Sequence, residues 1–221
     1  MITGAIFDLD GTILDSMPIW DNAGENYLKR IGITAEPNLG KILYSMSMSE
    51  AAEYLKNRYH PALTSEAIIN GINLTIENFY NCQVQLKDGA AEFLKELKQS
   101  GIKLTLATSS DRKVIEYALK RLKVINYFSR IFTCTEIGAG KEKPDIYLKA
   151  AEFMETDIKT TWVFEDALYA VKTAKKAGFK TVGLYDVSSI TDQDEIKRYC
   201  DIYLSKLSDC TAFLEKAAKI F

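Results

Sequence analysis

From about Asp88 onward, the sequence alternates between segments with helical spacing and short apolar runs, and this alternation most constrains the fold. Short apolar runs bounded by polar or glycine residues are typical of buried strands. Strands that alternate with helices predict a parallel sheet covered on both faces, with its site at the carboxyl ends of the strands. The strand-like runs are 102–107, 130–133, 161–164 and 180–183, and the helical segments are 91–101, 114–122, 145–154, 167–177 and 211–220.

One further strand is predicted at the start of the chain, where Ala5, Ile6 and Phe7 form an apolar run. It ends in two carboxylates, Asp8 and Asp10, one residue apart. Residues i and i+2 of an extended chain point the same way, so both carboxylates can face one pocket. Two neighbouring carboxylates repel each other unless a cation or a shared proton relieves them. A hard cation with oxygen ligands, such as Mg²⁺, or acid–base chemistry would give this pair a use.

Between Asp15 and about Cys82 the pattern is helical, without a convincing strand. Ile19, Ala23, Tyr27, Leu28 and Ile31 recur at helical spacing before Gly32, and further helices are expected from Ser49 to Pro61 and from Ser65. We therefore predict a cap of about four helices at 15–82, inserted after the first strand of an α/β core formed by 1–14 and 83–221.

Composition narrows the classes of partner. The chain has 221 residues and a formal net charge of −2, which gives no electrostatic reason to expect nucleic acid or an anionic membrane. Its cysteines are dispersed, without a C-x-x-C spacing, which favours reduced thiols over a disulfide framework or a zinc site. With no apolar run of membrane-spanning length and no room for a signal peptide before the first strand, we expect a cytoplasmic protein, monomeric or weakly homo-oligomeric.

Three later segments add chemistry to the predicted strand ends. Thr108-Ser109-Ser110 is a hydroxyl cluster that suits a phosphate oxygen, although the same triplet is typical of a helix N-cap. A glycine-containing loop carries Lys141 and Lys143, either of which can be ordinary solvated surface. Glu165 and Asp166 form a second acidic pair where a cation could share ligands with the first.

Taken in order, these segments resemble the motifs of the haloacid dehalogenase-like hydrolases, starting with Asp8-Leu9-Asp10-Gly11-Thr12. The resemblance covers essentially the whole chain and implies the branch with a small helical cap. It implies that Asp8 is the nucleophile that forms an aspartyl-phosphate and that Asp10 is the general acid/base. It also implies that Thr108 and the Ser109 N–H hold the phosphoryl group. The Lys-x-x-Pro-Asp spacing selects Lys141 over Lys143 as the lysine of the third motif.

The same resemblance implies a Mg²⁺ site. Its protein ligands would be the Asp8 side chain, the Asp10 backbone carbonyl and Asp166, with Glu165 as a second or alternative ligand. A phosphoryl group would repel a bare carboxylate, and Mg²⁺, Lys141 and inward N–H groups would offset that repulsion.

The cap bears on the choice between a phosphatase and a beta-phosphoglucomutase-like enzyme. Phosphosugar mutases of this branch typically carry a histidine where this chain has Trp20, and a Lys-Gly-x-x-Arg-like stretch where it has residues 44–48. The absence of this histidine and of the basic stretch favours a phosphatase over a mutase. The expected substrate is a small phosphorylated metabolite, such as a sugar phosphate or a nucleotide. Trp20, Tyr44, Met46 and Met48 are candidates to close over a substrate, or to pack within the cap.

A non-enzymatic phospho-acceptor resembling the response-regulator receivers is the rival from another class. Receivers also place carboxylates at the strand ends of a parallel sheet. They are about half this length, lack a helical insertion and carry the phosphorylated aspartate on a later strand, so the hydrolase interpretation is favoured.

Overall fold

A parallel sheet dominates the computed structural model of the chain, which describes residues 1–43, 46, 48–60 and 62–220. The strands in this part of the chain are β1 (Gly4–Phe7), β2 (Lys103–Thr108), β3 (Arg130–Thr133), β4 (Thr161–Glu165), β5 (Lys180–Leu184) and β6 (Ile202–Leu204). Their order across the sheet is β3-β2-β1-β4-β5-β6, and every neighbouring pair is parallel. The predicted α/β class, a Rossmann-like parallel core with a helical insertion after the first strand, is confirmed.

Helices occupy most of the remaining described residues. They are α1 (Met17–Asp21), α2 (Ala23–Arg30), α3 (Leu39–Leu43), α4 (Met48–Tyr59), α5 (Ser65–Cys82), α6 (Ala90–Gln99), α7 (Arg112–Arg121), α8 (Cys134–Ile137), α9 (Asp145–Met154), α10 (Leu168–Lys176), α11 (Gln193–Tyr199) and α12 (Cys210–Ala218). Among the described residues, no helix combines the length and apolar character needed to cross a membrane. Cys82, Cys134, Cys200 and Cys210 are free thiols.

The chain divides into two compact units. One contains Met1–Asp15 and Gln85–Phe221, and the other contains Ser16–Val84. The first unit holds the whole sheet, and the second is built from α1 to α5.

The centre of the sheet is fixed by the packing of β1 against β4. All residues of both strands are buried, which explains why their sequences are nearly continuous apolar runs. Phe7 lies opposite Phe164 in the register, and their rings stack with centroids 4.2 Å apart. The Asp8 backbone N–H then donates to the Phe164 carbonyl at 2.9 Å. This hydrogen bond brings the first carboxylate beside the end of β4.

The helical unit differs in detail from its predicted pattern. The helix expected through Ile19 and Ile31 is divided into α1 and α2 at Asn22, whose backbone is not helical. Gly32 takes a φ of +79°, a left-handed conformation that suits glycine and follows the end of α2. The Thr64 side chain accepts a hydrogen bond from the Ala67 N–H, which caps α5 where the sequence predicts its start. Pro61, the predicted breaker before it, lies outside the described residues.

The candidate cap residues line a cavity inside this helical unit. Trp20, Met46 and Met48 contribute to its wall, and its volume is about 290 Å³. The Trp20 indole N–H donates to the Tyr80 hydroxyl at 3.0 Å, which ties Trp20 to the bundle although 42% of its surface is exposed. Tyr44, the fourth candidate, lies outside the described residues.

Candidate active site

The sheet order places the acidic segments next to each other. From β1 the chain proceeds to β2 and β3 on one side, whereas β4 lies on the other side of β1. The carboxyl ends of β1 and β4 therefore flank the point where the strand order reverses, which is the usual position for a site in an open parallel sheet. Asp8 directly follows β1, Glu165 ends β4, and Asp166 follows it.

Lys141 connects the two acidic segments. It lies in the loop between α8 and α9, yet only 3% of the residue is exposed. Its ammonium group contacts Asp8 Oδ1 and donates to Glu165 Oε1 at 2.7 Å. Lys143, two residues later, is exposed. Of the two lysines that the sequence offered, the structure brings Lys141 to Asp8.

Hydroxyl groups hold both residues of the second acidic pair. The buried Tyr147, on α9, donates to Glu165 Oε1 at 2.8 Å, so this oxygen receives two donors. Thr12, which follows the Asp8-Leu9-Asp10-Gly11 stretch, lies with its hydroxyl 3.4 Å from Asp166 Oδ1. The second acidic pair is thereby tied to the first motif and to α9.

Burial changes the acid–base properties of these groups. It raises the pKa of Asp8, an effect that Lys141 opposes and Asp10 reinforces. Burial also raises the pKa of Glu165 to about 7, against the attraction of Lys141. For Asp166, burial and the charges of Asp8 and Glu165 raise the pKa well above its ordinary value. Burial lowers the pKa of Lys141, but Asp8 and Glu165 outweigh this effect and keep the ammonium charged.

The chain turns sharply immediately after Asp10. Gly11 has a φ of +84°, and its N–H donates to the Leu14 carbonyl at 3.0 Å. A left-handed backbone at this point suits glycine, which explains the residue that follows the acidic pair. The Ser110 hydroxyl donates to Asp10 Oδ2 at 2.7 Å. This contact links the first acidic segment to the end of β2.

The hydroxyl cluster after β2 does not cap the following helix. Helix α7 begins at Arg112, and its N-cap position is Asp111, so the N-cap interpretation of Thr108-Ser109-Ser110 is wrong. Thr108 is buried at the end of β2, and its hydroxyl accepts from the Ser110 N–H at 3.0 Å. Ser109 is exposed, with its hydroxyl 3.5 Å from Cys134 Sγ. The triplet therefore forms a tight turn at the same edge of the sheet as Asp10.

A group of carboxylates in this site suits a hard cation. One oxygen from each of Asp8, Glu165 and Asp166 lies within 4.8 Å of the others, and all three residues are buried. Asp8 Oδ2 is buried without a hydrogen-bond partner among the described residues. Three carboxylates facing a single ammonium leave an excess of negative charge, and burying unpaired charge is costly. Clustered carboxylate oxygens are the ligands that a hard divalent cation such as Mg²⁺ prefers, so these residues fit a bound divalent cation.

Some contributors to this arrangement could not be singled out from the sequence. Thr12, Ser110 and Tyr147 each place a hydroxyl on a carboxylate of the site. Thr12 and Ser110 stand within the motifs themselves, but nothing in the sequence says which oxygen a hydroxyl will reach. Nothing in the local sequence marks Tyr147, because its contact with Glu165 depends on how α9 packs on the sheet.

The fold and the site together define an α/β protein with an acidic, lysine-bridged centre at the strand ends. The sequence profile of the haloacid dehalogenase-like hydrolases matches residues 5–184. The chain belongs to the haloacid dehalogenase-like hydrolase family.

Individual relatives support the same placement. The chain is 26% identical over 190 residues to the phosphorylated carbohydrates phosphatase of Thermotoga maritima, covering 80% of this chain and 82% of that protein. It is 28% identical over 187 residues to the beta-phosphoglucomutase of Bacillus subtilis, covering 81% of each. The solved structure of a family IA, variant 3 hydrolase from Entamoeba histolytica superposes with a TM-score of 0.75 at 24% identity, covering 99% of both chains. At that identity the structural likeness shows the fold alone.

Proposed function

We propose that this chain is a magnesium-dependent phosphatase that hydrolyses a small phosphorylated metabolite through an aspartyl-phosphate on Asp8. The observation that carries the proposal is the position of Lys141 between Asp8 and Glu165, combined with a buried Asp8 Oδ2 that has no partner among the described residues. One oxygen of Asp8 is thus fixed by a cation. The other has no hydrogen-bond partner among the described residues, which leaves it available as a metal ligand.

In the first step, an oxygen of the Asp8 carboxylate attacks phosphorus. The bond from phosphorus to the leaving-group oxygen breaks, and Asp10 gives its proton to that oxygen. In the second step, Asp10 takes a proton from a water molecule, which attacks phosphorus and releases phosphate from Asp8. The Ser110 hydroxyl, 2.7 Å from Asp10 Oδ2, would keep the Asp10 carboxyl in one orientation through both steps.

Several groups would stabilise the transferring phosphoryl group. Lys141 offers a buried positive charge beside Asp8, and Thr108 and the Ser109 N–H would contact phosphoryl oxygens. Asp8, the Asp10 backbone carbonyl and Asp166 would hold Mg²⁺, with Glu165 as the alternative ligand. When bound, Mg²⁺ would supply the positive charge that offsets the repulsion between the phosphoryl oxygens and the carboxylates.

The substrate class is a sugar phosphate or a nucleotide-like monoester. The Thermotoga maritima relative, a phosphatase of phosphorylated carbohydrates, supports the first of these. We assign residues 15–82 to the cap that selects the substrate. The cavity lined by Trp20, Met46 and Met48 lies within this part of the chain.

The test is hydrolysis of p-nitrophenyl phosphate by the purified chain. We expect phosphate release with Mg²⁺, none with EDTA, and none from the Asp8→Asn variant at any Mg²⁺ concentration. Turnover that is indifferent to EDTA, or an Asp8→Asn variant that keeps wild-type activity, would refute the proposal. A panel of phosphorylated metabolites assayed with Mg²⁺ then identifies the substrate.

A phosphosugar mutase is the second candidate, favoured by the similarity to the Bacillus subtilis beta-phosphoglucomutase. Trp20 argues against it, since its N–H is engaged with Tyr80 where such mutases carry a histidine. With β-glucose 1-phosphate as substrate, a hydrolase releases free phosphate, whereas a mutase forms glucose 6-phosphate faster than phosphate.

A further inference from the structure

Tyr147 makes an unusual contact for a residue in the apolar core of the sheet. Its ring packs in the core cluster that includes Ile6, Val163 and Phe179, with the Phe179 ring edge-on at a centroid distance of 6.3 Å. None of its surface is exposed. The ring is therefore fixed by packing, and the hydroxyl emerges from the core at one defined point.

That point is Glu165 Oε1. The Tyr147 hydroxyl donates to this oxygen at 2.8 Å, and Lys141 Nζ donates to the same oxygen at 2.7 Å. A carboxylate in a buried setting binds its donors strongly, because it has lost its water. Tyr147 and Lys141 therefore both stabilise the negative charge of Glu165, which Lys141 would otherwise stabilise alone.

The hydrogen bond from Tyr147 matters because Lys141 interacts with two carboxylates at once. It contacts Asp8 Oδ1 as well as Glu165 Oε1, and all three side chains are almost completely buried. If Glu165 lost the Tyr147 hydroxyl, its attraction for Lys141 would increase and the ammonium would move away from Asp8. A displacement of this kind would loosen the geometry that catalysis requires.

We propose that Tyr147 is a positioning residue: by donating to Glu165, it keeps Lys141 against the nucleophilic Asp8. The kinetic consequence rests on the proposed phosphatase function, whereas the position of Lys141 can be examined without any activity. A side chain locked by packing and reaching the site with a single hydrogen bond is well suited to this role.

The first test compares Tyr147→Phe with Tyr203→Phe. The control also loses one tyrosine hydrogen bond, from its hydroxyl to Gln193 Oε1 at 2.6 Å, but that contact lies between β6 and α11. With p-nitrophenyl phosphate and saturating Mg²⁺, we expect kcat to fall about 10-fold in Tyr147→Phe, with little change in KM. We expect kcat to stay at the wild-type value in Tyr203→Phe. Equal kcat values in all three proteins, or equal losses in both variants, would overturn the proposal.

A double-mutant cycle tests whether Tyr147 acts through Glu165. In a Glu165→Ala background, removing the Tyr147 hydroxyl should leave the residual kcat unchanged, because the acceptor is gone. A second loss as large as the first would show that Tyr147 acts by another route and would overturn the proposal.

Crystal structures separate this proposal from the proposed function. In Tyr147→Phe, Lys141 Nζ should lie farther from Asp8 and closer to Glu165 than in the wild type. An unmoved Lys141 would overturn the positioning role, even if the chain proved to have no phosphatase activity. Absent wild-type activity with a displaced Lys141 would instead support the positioning role and refute the proposed function.

Discussion

The two acidic segments of the site, Asp8-Leu9-Asp10 after β1 and Glu165-Asp166 at the end of β4, contain the same kind of side chain in different settings. In each segment, one carboxylate contacts Lys141 and the other is approached by a hydroxyl. In the first segment, however, Asp8 retains a buried oxygen without a partner among the described residues. In the second, Glu165 Oε1 receives two donors. We therefore propose that the first segment reacts with the substrate and that the second holds the metal ion.

Spacing along the chain explains part of this difference. Leu9 separates the two aspartates, and the chain turns at Gly11 directly after Asp10. Asp10 contacts Ser110, whereas Asp8 lies beside the end of β4. Glu165 and Asp166 are adjacent in the sequence. One oxygen of each lies in the cluster of three carboxylates that also contains Asp8. Four similar residues therefore have different expected roles, and substitutions at each one should have distinguishable effects.

After removal of the Asp8 nucleophile itself, the largest effect is expected at Lys141, which joins the two segments. Lys141→Met should reduce kcat for p-nitrophenyl phosphate by at least about 10³-fold, because it removes the charge that faces both Asp8 and Glu165. It should also lower the free energy of unfolding by about 3 to 5 kcal/mol, since buried carboxylates lose their cation. Lys143→Met is the matched control and should leave both quantities unchanged, as Lys143 is exposed. A loss of kcat and stability in Lys143→Met, with neither changed in Lys141→Met, would show that Lys143 is the functional lysine.

The second prediction concerns Asp10 as the proton carrier of the first segment. Asp10→Asn should lower kcat by about 10² to 10⁴-fold, because an amide cannot exchange the proton. Its backbone carbonyl is retained, so the Mg²⁺ concentration that gives half-maximal binding in calorimetry should change little. A variant with weakened Mg²⁺ binding and normal kcat would show that the Asp10 side chain is a metal ligand instead.

The third prediction concerns Asp166 as the metal-holding residue of the second segment. Asp166→Asn should weaken Mg²⁺ binding by about 10 to 100-fold, measured by calorimetry or by the Mg²⁺-induced rise in Tm. Thr12→Val, which removes the hydroxyl 3.4 Å from Asp166 Oδ1, should give a smaller effect in the same direction. Unchanged Mg²⁺ binding in Asp166→Asn would contradict the division of roles between the segments.

The smallest effect is expected at Ser110, which orients Asp10. Ser110→Ala should lower kcat about 5 to 10-fold, in keeping with the loss of one hydrogen bond to a charged group. Ser100→Ala is the control, because the Ser100 hydroxyl bonds the Glu96 carbonyl at the end of α6. If the two variants had the same kcat, the Ser110 contact would have no part in catalysis.

Much of the sheet could be predicted from the sequence because its central strands are buried on both faces. Strand β3 and helix α9 have the predicted bounds, and the predicted limits of β2, β4 and β5 lie within one residue of those observed. Strand β6 and helix α11 were not predicted. The strand has only three residues, and two of them are half-buried, so it lacks the continuous apolar run of the others.

In the site, likewise, the positions of some residues could be predicted from local sequence, whereas the contacts of others depend on the tertiary fold. Asp8, Asp10, Glu165 and Asp166 could be placed at the strand ends because each follows or ends an apolar run. The family resemblance selected Lys141, which is the lysine that reaches Asp8. The hydroxyl groups of Thr12, Ser110 and Tyr147 could not be assigned partners, because their acceptors lie far away in the sequence. Their roles depend on the register of β1, β2 and β4 and on the packing of α9.

The helical unit was harder to predict because its helices are short and their ends carry weak signals. Neither the break at Asn22 nor helix α3 could be anticipated, and the Asn22 side chain caps nothing at the start of α2. Amphipathic spacing predicts that a helix exists but leaves breaks within it undetermined. The same limit applies to the substrate, since the residues that would select it lie in this unit.

The central claim, that the first acidic segment reacts and the second holds, is tested most directly by trapping the covalent intermediate. Sodium borohydride added during turnover of p-nitrophenyl phosphate reduces an aspartyl-phosphate to homoserine, which peptide mass spectrometry can locate. The account predicts homoserine at position 8 and unmodified residues at positions 10, 165 and 166. Homoserine at position 10 or 166, 5-hydroxynorvaline from a reduced glutamyl-phosphate at position 165, or no reduced residue in an enzyme that is turning over, would contradict it.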